Sequence, residues 1–542
     1  MRAKNGLQGP IPDALSQLRS LSHFILFNNN LTGKLPYGLY NISSIEEIEV
    51  SDNHLNGSIP SDIGLTLPRL QYLSLSNNSF TGLIPVSLSN ASKLEEIALS
   101  VNYFRGAIPK GLGRLPQLKS LTIGKNQLTD HLSFINSLTN CSHLLTIDIQ
   151  QNFLTGQIPK FIANLSVELR YIDLADNQLR GAIPTEIEYI TGLEWLNLGQ
   201  NCLSGPIHHI NFTRLQQLEL LGVEKNKLSG RIPSTIGNLR MLGFMGMSFN
   251  NFGGEIPPSL GSCRSLLVLD LSYNNFGGSI PKELLSLQSL SIALDLSSNR
   301  LTGSLPPEIG RLQNLGSLNI SDNKLVGIIP NSIAGCSSME ELYLGGNYFA
   351  GEIPKALSSL RGLKILDISR NNLSGQIPDF LSRLTFLNLS MNLLQGEVPK
   401  RGIFLNASAV SIFGNNGLCG EYGMGGTYSV EGDVYSYGII LLEMCTGKRP
   451  TDLPFKDGLN LHIFVERALS SQVMEFISEN ILCEGGGDIY KECLLSVLRI
   501  GIKCSMMIPS ERMKMKDVLC ELQKIKGIYE NEKSRQGRRN VR

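Results

Sequence analysis

The chain has 542 residues, of which 42% are hydrophobic and 18% are charged, and its formal net charge at pH 7 is +1. This balance gives no reason to expect nucleic-acid binding, because no long basic face appears. No apolar run of 18 residues occurs, so the sequence predicts no membrane span. The ten cysteines lack C-x-x-C spacing. That favours small buried hydrophobes at Cys141, Cys263 and Cys336 over a zinc site or disulfides.

One phrase recurs through residues 21–398 and reads L-x-x-L-x-L-x-x-N-x-L-x-G-x-I-P. Counted by the asparagine, the seventeen copies fall at Asn5, Asn29, Asn53, Asn78, Asn102, Asn126, Asn152, Asn177, Asn201, Asn226, Asn250, Asn274, Asn299, Asn323, Asn347, Asn371 and Asn392. The intervals are 24 to 26 residues, except for the last, which is 21. Such a period indicates stacked units, and the phrase is that of the leucine-rich repeat. The sequence therefore predicts an α/β solenoid, a leucine-rich-repeat horseshoe or superhelix of about 17 repeats, over residues 1–399.

Each copy encodes one turn of the solenoid. The two leucines of L-x-L point inward from a short strand, because side chains alternate across a strand, and the residues beside them face out on the concave side. The asparagine is expected to bond both the backbone and the asparagines stacked beside it, since a buried amide needs partners. Glycine permits the bend that follows, and Ile-Pro begins the return on the convex side.

Two turns depart from the phrase. Residues 130–133, Asp-His-Leu-Ser, replace the Gly-x-Ile-Pro step after Asn126, so that turn is expected to bend differently. After Asn201 the proline is replaced by His208, and His209 follows. A histidine pair suggests metal binding, but adjacent side chains diverge and no third ligand is evident. We therefore expect a solvated loop and no metal site.

The beginning of the chain leads straight into a repeat, with no basic and apolar leader and no cysteine-paired cap. We expect from this that the start of a longer protein is missing. Asn-x-Ser/Thr sequons are frequent, and they are candidate glycosylation sites: Asn30, Asn41, Asn56, Asn77, Asn90, Asn140, Asn164, Asn211, Asn319, Asn372, Asn388 and Asn406. Repeat composition alone generates some of them. Their stop after Asn406 suits a chain whose first part was secreted and whose last part was not.

The outward strand positions offer a binding surface. Six residues before the asparagine, five consecutive turns carry apolar side chains that should stack into one stripe: Tyr171, Trp195, Leu220, Phe244 and Val268. Two residues further along each strand lie hydrogen-bonding residues: Asp148, Asp173, Asn197 and Asp270. Apolar anchors beside acceptors suit a peptide groove. The alternative is that the aromatic residues only cover strand edges and that Asp-Leu-Ser is ordinary repeat sequence.

The chain changes character beyond the repeats. Residues 412–420, I-F-G-N-N-G-L-C-G, resemble the start of the C-terminal cap of plant leucine-rich-repeat receptors, so residues 400–420 are interpreted as a partial cap and junction. Residues 432–444, G-D-V-Y-S-Y-G-I-I-L-L-E-M, resemble the far half of a protein kinase domain, as do P-S-E-R-M at 509–513 and the helix after it. Residues 421–530 are therefore interpreted as a small all-α remnant of a kinase C-lobe, and residues 531–542 as a basic tail.

The two parts together resemble the plant leucine-rich-repeat receptor-like serine/threonine kinases, in truncated form, and most of all the pathogen-sensing subgroup with long arrays. The resemblance implies a peptide or protein ligand, a possible co-receptor kinase, and a plasma-membrane location with the repeats outside. It also implies that Glu421 closes the activation segment, that Arg512 is its ion-pair partner, and that Asp433 braces the catalytic-loop backbone. Intact members use ATP and Mg²⁺.

A kinase needs a Gly-rich loop, a strand Lys, a catalytic Asp with its Asn, and an Asp that binds Mg²⁺. None of the four motifs is found, so we expect no cofactor and no phosphate transfer. Two hypotheses compete: a binding protein with a vestigial kinase tail, and a working receptor kinase whose missing segments lie outside this translation. Genomic sequence before Met1 and across the junction of residues 420 and 421 would discriminate between them. In either case the apolar helix at residues 434–444 is expected to be partly uncovered at Ile439, Ile440, Leu441 and Leu442.

Overall fold

A computed structural model describes residues 5–406, 408–419, 430–448, 461–470, 488–506 and 511–539. The chain divides into two compact units. The first comprises Met1–Asn392 and Arg401–Val410, and the second comprises Leu393–Lys400 and Ser411–Arg542. The first unit is the α/β solenoid that the repeat predicts, and the second contains the helices of the C-terminal part.

The L-x-L residues form a row of parallel three-residue strands, which we call the strand row. In each strand the middle residue is buried and the first is at least partly exposed, because side chains alternate. Neighbouring strands pair without a shift, as in Leu196 opposite Leu221. The strands are His23–Ile25, Glu47–Glu49, Tyr72–Ser74, Glu96–Ala98, Ser120–Thr122, Thr146–Asp148, Tyr171–Asp173, Trp195–Asn197, Leu220–Gly222, Phe244–Gly246, Val268–Asp270, Ala293–Asp295, Ser317–Asn319, Glu341–Tyr343, Ile365–Asp367 and Phe386–Asn388.

A second set of parallel strands follows the asparagine in most turns. These strands are Gln8–Pro10, Asn30–Lys34, His54–Ser58, Ser79–Leu83, Tyr103–Gly106, Gln127–Leu128, Thr155–Gln157, Gln178–Gly181, Cys202–Pro206, Lys227–Gly230, Asn251–Glu255, Asn275–Gly277, Val326–Gly327, Tyr348–Glu352 and Asn372–Gly375. The sheet breaks between Gln127–Leu128 and Thr155–Gln157. There residues 130–133 lack the Gly-x-Ile-Pro step, and a helical segment follows, so the prediction that this turn bends differently is confirmed.

Short helices return the chain on the other side, and most begin after the proline of Ile-Pro, whose fixed φ suits the residue before a helix. The 3₁₀ helices are Asp13–Gln17, Tyr37–Asn41, Val86–Asn90, Lys110–Arg114, Leu132–Phe134, Lys160–Asn164, Thr185–Tyr189, Phe212–Arg214, Ser234–Asn238, Pro258–Ser262, Leu284–Ser286, Pro307–Arg311, Asn331–Gly335, Lys355–Ser359, Asp379–Arg383 and Gly402–Leu405. Two turns have a single α-helical turn here: α1 (Ile63–Thr66) and α2 (Ile135–Leu138).

The repeat asparagines form a buried ladder, and its bonding differs in one respect from the prediction. The Asn102 side-chain oxygen accepts from the Phe80 N–H of the preceding turn at 2.8 Å. Its Nδ2 donates to the Leu75 carbonyl at 2.9 Å and to the Leu99 carbonyl at 3.2 Å. The same pattern recurs along the array. Every side-chain partner of the ladder asparagines from 53 to 392 is a backbone group, so the expected bonds between asparagines are wrong.

The core of the first unit is a continuous stack of leucines and isoleucines, with phenylalanines in a few turns. Phe252 and Phe276 are fully buried, and their rings stack with centroids 6.3 Å apart. The prediction for the three cysteines of the array is confirmed, since Cys141, Cys263 and Cys336 are free thiols and fully buried. Burial raises their pKa to about 11 or 12, so they stay protonated at neutral pH.

The second unit contains three short strands and four helices in its described residues. The strand Val410–Ser411 crosses the boundary between the units, and Leu393–Glu397 pairs in parallel with Gly417–Cys419. Asn415 accepts from the Leu394 N–H at 3.1 Å, which repeats the ladder geometry beyond the last asparagine of the phrase. The helices are α3 (Val430–Thr446), α4 (Leu461–Ser470), α5 (Asp488–Cys504) and α6 (Met515–Arg539).

Helices α3 and α5 cross closely because glycines face each other. A Cβ atom on Gly438 would lie 2.7 Å from the Gly501 carbonyl oxygen, and a Cβ on Gly501 would lie 2.6 Å from a methyl carbon of Leu442. Leu442 is fully buried and Leu441 nearly so, whereas Ile440 is exposed. The expectation that this helix would be partly uncovered is therefore wrong for Leu441 and Leu442, since the helices that are present pack onto them.

Candidate functional site

The five predicted apolar residues lie side by side on the outward face of the strand row. The structure pairs Tyr171 with Trp195, Trp195 with Leu220, Leu220 with Phe244, and Phe244 with Val268. All five are half-buried, so each keeps some surface for a ligand. We call this set the apolar stripe.

Tyr171 and Trp195 give the stripe a rigid aromatic end. Their rings stack with centroids 5.2 Å apart and 18° between their planes, an arrangement that stabilises both rings. Burial raises the pKa of the Asp173 carboxyl and the Trp195 indole N–H lowers it, so this N–H lies close to the carboxylate. Because Nε1 is buried, the indole presents ring surface and not its N–H to a ligand.

The polar residues beside the stripe are less available than the sequence suggests. Asp173 is only 2% exposed, and it accepts from the Ala175 N–H at 3.0 Å and from Asn197 Nδ2 at 3.1 Å. Burial raises the pKa of the Asp173 carboxyl. Asp148 and Asp270 likewise accept from the backbone N–H two residues ahead, at 3.2 Å and 3.0 Å. These carboxylates position the turns first and offer only their remaining lone pairs to a ligand.

The strand face also carries residues that sequence reasoning missed. At the position of Asp173 and Asn197 the next two turns have Gly222 and Gly246, which lie opposite each other. Phe249 and Tyr273, each directly before a ladder asparagine, stack with ring centroids 4.1 Å apart. The available signal was the asparagine register itself, which places both aromatic residues at one position of neighbouring turns.

The sequons differ in their surroundings. Nine have exposed asparagines: Asn30, Asn41, Asn56, Asn77, Asn90, Asn140, Asn164, Asn372 and Asn406. The other three are half-buried, and two of these donate from Nδ2 to a carboxylate, Asn319 to Asp295 and Asn388 to Asp367, both at 3.1 Å. Asn211 instead accepts from the Thr213 N–H at 3.2 Å. Glycosylation at all twelve remains a prediction, and a glycan on Asn319 or Asn388 would displace an existing hydrogen bond.

The kinase resemblance gives structural roles to three residues, and the structure describes the side chain of one of them, Arg512. Arg512 donates from Nε to the Met506 carbonyl at 2.8 Å, and its guanidinium lies 4.7 Å from the centre of the Tyr435 ring. Asp433 lies within α3, but its side chain is outside the described part of the chain. Glu421, the predicted partner of Arg512, is also outside it. The predicted roles of the three residues therefore remain predictions.

The described residues contain neither a metal-binding cluster nor a membrane-spanning helix. No cluster of three histidine, cysteine or acidic side chains that could hold a metal ion occurs in the part of the chain that the structure describes. His208 and His209 are both exposed, in line with a solvated loop, but their ring centroids lie 4.0 Å apart, so the expectation that the two side chains diverge is wrong. Among the described helices, none combines the length and the apolar character needed to cross a bilayer.

Known proteins are similar to this chain in sequence. The Leucine rich repeat family profile matches residues 58–130 and 293–349, and a second Leucine Rich Repeat profile matches residues 168–190, 265–287 and 362–384. The LRR receptor-like serine/threonine-protein kinase EFR of Arabidopsis thaliana is 43% identical over 136 residues, which are 25% of this chain and 12% of EFR. The receptor kinase-like protein Xa21 of Oryza sativa subsp. japonica is 43% identical over 139 residues, 23% of this chain and 13% of Xa21.

Two solved ectodomain structures are similar over most of the array. The plant peptide hormone receptor RGFR1, in complex with RGF2, has a TM-score of 0.57 and 29% identity, and the match covers 76% of this chain and 81% of that one. The ectodomain of the membrane receptor kinase GASSHO1/SCHENGEN3 from Arabidopsis thaliana, in complex with CASPARIAN STRIP INTEGRITY FACTOR 2, has a TM-score of 0.61 and 30% identity. That match covers 77% of this chain and 61% of the ectodomain. The curated relatives, in contrast, are matched over only about an eighth of their length.

Proposed function

We propose that this chain is a ligand-recognition protein of the plant leucine-rich-repeat receptor-like kinase family, which its similarity to the repeat profiles and to such receptor kinases supports. The observation that carries the proposal is the apolar stripe, in which five half-buried side chains of consecutive turns align on one face. A peptide or a protein segment that lies across the strands would bury these side chains one after another. Related ectodomains have been solved in complex with a peptide hormone or an integrity factor.

The family also supports a place at the plasma membrane, with the repeats on the extracellular side and a co-receptor kinase as a possible second partner. We propose both the location and the co-receptor together with the ligand. The exposed sequons fit an extracellular array, because glycans need surface asparagines.

The stripe can be tested with peptides selected from a displayed random library on the immobilised full chain. We expect Trp195→Ala to weaken a selected peptide by about 30-fold or more, because a central aromatic anchor contributes about 2 kcal/mol or more. Calorimetry on purified variants gives the affinity. The matched control is Tyr348→Ala. It removes an exposed aromatic ring from Tyr348–Glu352, a strand of the second set and not of the strand row, and should change the affinity less than twofold. Equal affinities for Trp195→Ala and the wild type, with folding intact, would rule out the stripe.

The same preparation tests the kinase part. Because the four motifs that position nucleotide, metal and hydroxyl are missing from the sequence, we expect no phosphate transfer from Mg·ATP to the chain or to a generic substrate. The measurement is phosphate incorporation compared with Asp433→Ala. Incorporation above that control, abolished by EDTA, would show that the chain is an active kinase.

A further inference from the structure

Three glycines come together next to the apolar stripe, around the side chain of Glu224. Gly222 pairs directly with Gly246 and with Asn197 on either side, and Gly199 stands two residues after Asn197. The Phe244 ring leans over one edge, since a Cβ atom on Gly246 would come within 2.9 Å of its Cε1. We call Gly199, Gly222, Gly246 and the side chain of Glu224 the glycine notch.

The Glu224 carboxylate occupies the notch because the glycines leave room for it. A Cβ on Gly222 or Gly246 would lie 3.2 Å or 3.0 Å from Glu224 Oε2, and a Cβ on Gly199 would collide with Oε1. Oε2 is buried and accepts no hydrogen bond from the described residues. An unpaired buried carboxylate oxygen is costly. The side chain as a whole is only half-buried, so part of Glu224 faces solvent.

The surroundings of the notch are negatively charged. Burial, followed by the carboxylates of Asp270 and Asp173, raises the pKa of Glu224, whereas Lys225 and the Glu224 backbone N–H lower it. Three carboxylates and one ammonium group therefore share this part of the strand face. A cation beside Glu224 would meet an attractive potential and a carboxylate whose Oε2 has no hydrogen-bond partner among the described residues.

We propose that the glycine notch is a subsite for a basic side chain, arginine or lysine, of the peptide that binds the apolar stripe. This inference rests on the proposed ligand-recognition function and adds a charge requirement to the ligand. A guanidinium or ammonium group pairs with Glu224 through charge-assisted hydrogen bonds. Its aliphatic stem packs along Phe244, since long basic side chains cover apolar surface with their methylene groups.

The test selects displayed random twelve-residue peptides on the immobilised full chain, in parallel for the wild type, Glu224→Gln and Glu219→Gln. Glu219 is an exposed carboxylate of the same turn and serves as the matched control. We expect the wild type and Glu219→Gln to enrich peptides that combine apolar residues with one arginine or lysine at a fixed spacing. Glu224→Gln should enrich the apolar residues without the basic one. Replacing that basic residue by norleucine should weaken binding to the wild type about tenfold or more and to Glu224→Gln less than twofold.

The outcomes separate the two proposals. Two results would overturn the subsite and leave the proposed function intact. In the first, the wild type selects apolar peptides with no preference for a basic residue. In the second, Glu224→Gln selects the same basic residue as the wild type. Failure of the wild type to select any peptide overturns both. If Glu224→Gln does not fold, Gly246→Ala replaces it, since the added methyl group enters the notch and should abolish the same preference. An unchanged preference in Gly246→Ala would then refute the subsite.

Discussion

Replacing Asn226 by alanine is expected to lower the free energy of unfolding of its part of the array by about 3 kcal/mol. The Asn226 side chain is 9% exposed, and its oxygen accepts from the Leu203 N–H at 2.8 Å. Its Nδ2 donates to three carbonyls, those of Leu198, Val223 and Glu224. Each carbonyl keeps a second donor, respectively Asn201, Asn250 and the Gln200 N–H. The cost therefore comes from one buried donor left without a partner and from three weakened acceptors.

The measurement is urea unfolding of the full chain followed by tryptophan fluorescence. Trp195 is the only tryptophan of the chain and stands one turn before Asn226, so the signal reports on the affected turns. Asn238→Ala is the control, because this exposed asparagine donates only to the Thr235 carbonyl of its own helix and should cost less than about 1 kcal/mol. Equal midpoints for the two variants would show that the ladder does not hold adjacent turns together.

Phe252→Ala is expected to cost still more, about 3–5 kcal/mol, because it removes a fully buried ring and leaves a cavity between turns that cannot close fully. The loss includes the stacking contact with Phe276, whose ring centroid is 6.3 Å away. Thermal unfolding followed by circular dichroism would show the change as a large drop in the midpoint or as a separate early transition.

Phe252→Leu is the matched variant for this position. Leucine stands at the equivalent place in neighbouring turns, at Leu228 and Leu301, and is fully buried there. The leucine variant should therefore cost only about 1 kcal/mol. A leucine variant as unstable as the alanine variant would mean that the aromatic stack, and not the filled volume, stabilises these turns.

Much of the fold was predictable because one period fixes both the strand positions and the buried side of each turn. The L-x-L pattern placed Leu196 and Leu221 inward, and the same register aligned Trp195 with Tyr171 on the outward face. A repeat gives this information many times over, so single exceptions do not obscure it. The burial of the cysteines followed from the same register.

Other features depend on contacts that no single turn encodes. The residue before each ladder asparagine from Asn29 to Asn392 is in the left-handed region, even where its residue type disfavours that conformation, as Val101 with φ 59° and Phe249 with φ 53° show. The backbone bonds of the following asparagine fix this conformation against the local preference. The burial of Asp173 likewise results from Asn197 in the next turn, which a pattern of alternating residues does not reveal.

The glycine notch was missed for a similar reason. The predicted binding surface comprises residues six and four positions before the asparagines, whereas Glu224 stands two positions before Asn226. Three glycines from separate turns matter only because the solenoid brings them together. In the second unit, Leu442 is buried because Gly438 and Gly501 allow α3 and α5 to approach closely. These two helices lie far apart in sequence.

The bonding of the asparagine ladder has a consequence for how such a gene can change. The Asn226 side chain bonds only its own turn and the turn before it. Loss of residues 227–250, one full interval of 24 residues, would join Asn226 to the turn that now follows Asn250 and keep every partner type. Duplication of such a segment would do the same. Unequal recombination between repeats can therefore lengthen or shorten the recognition surface by whole turns. Point mutation can then change the outward side chains of each turn separately.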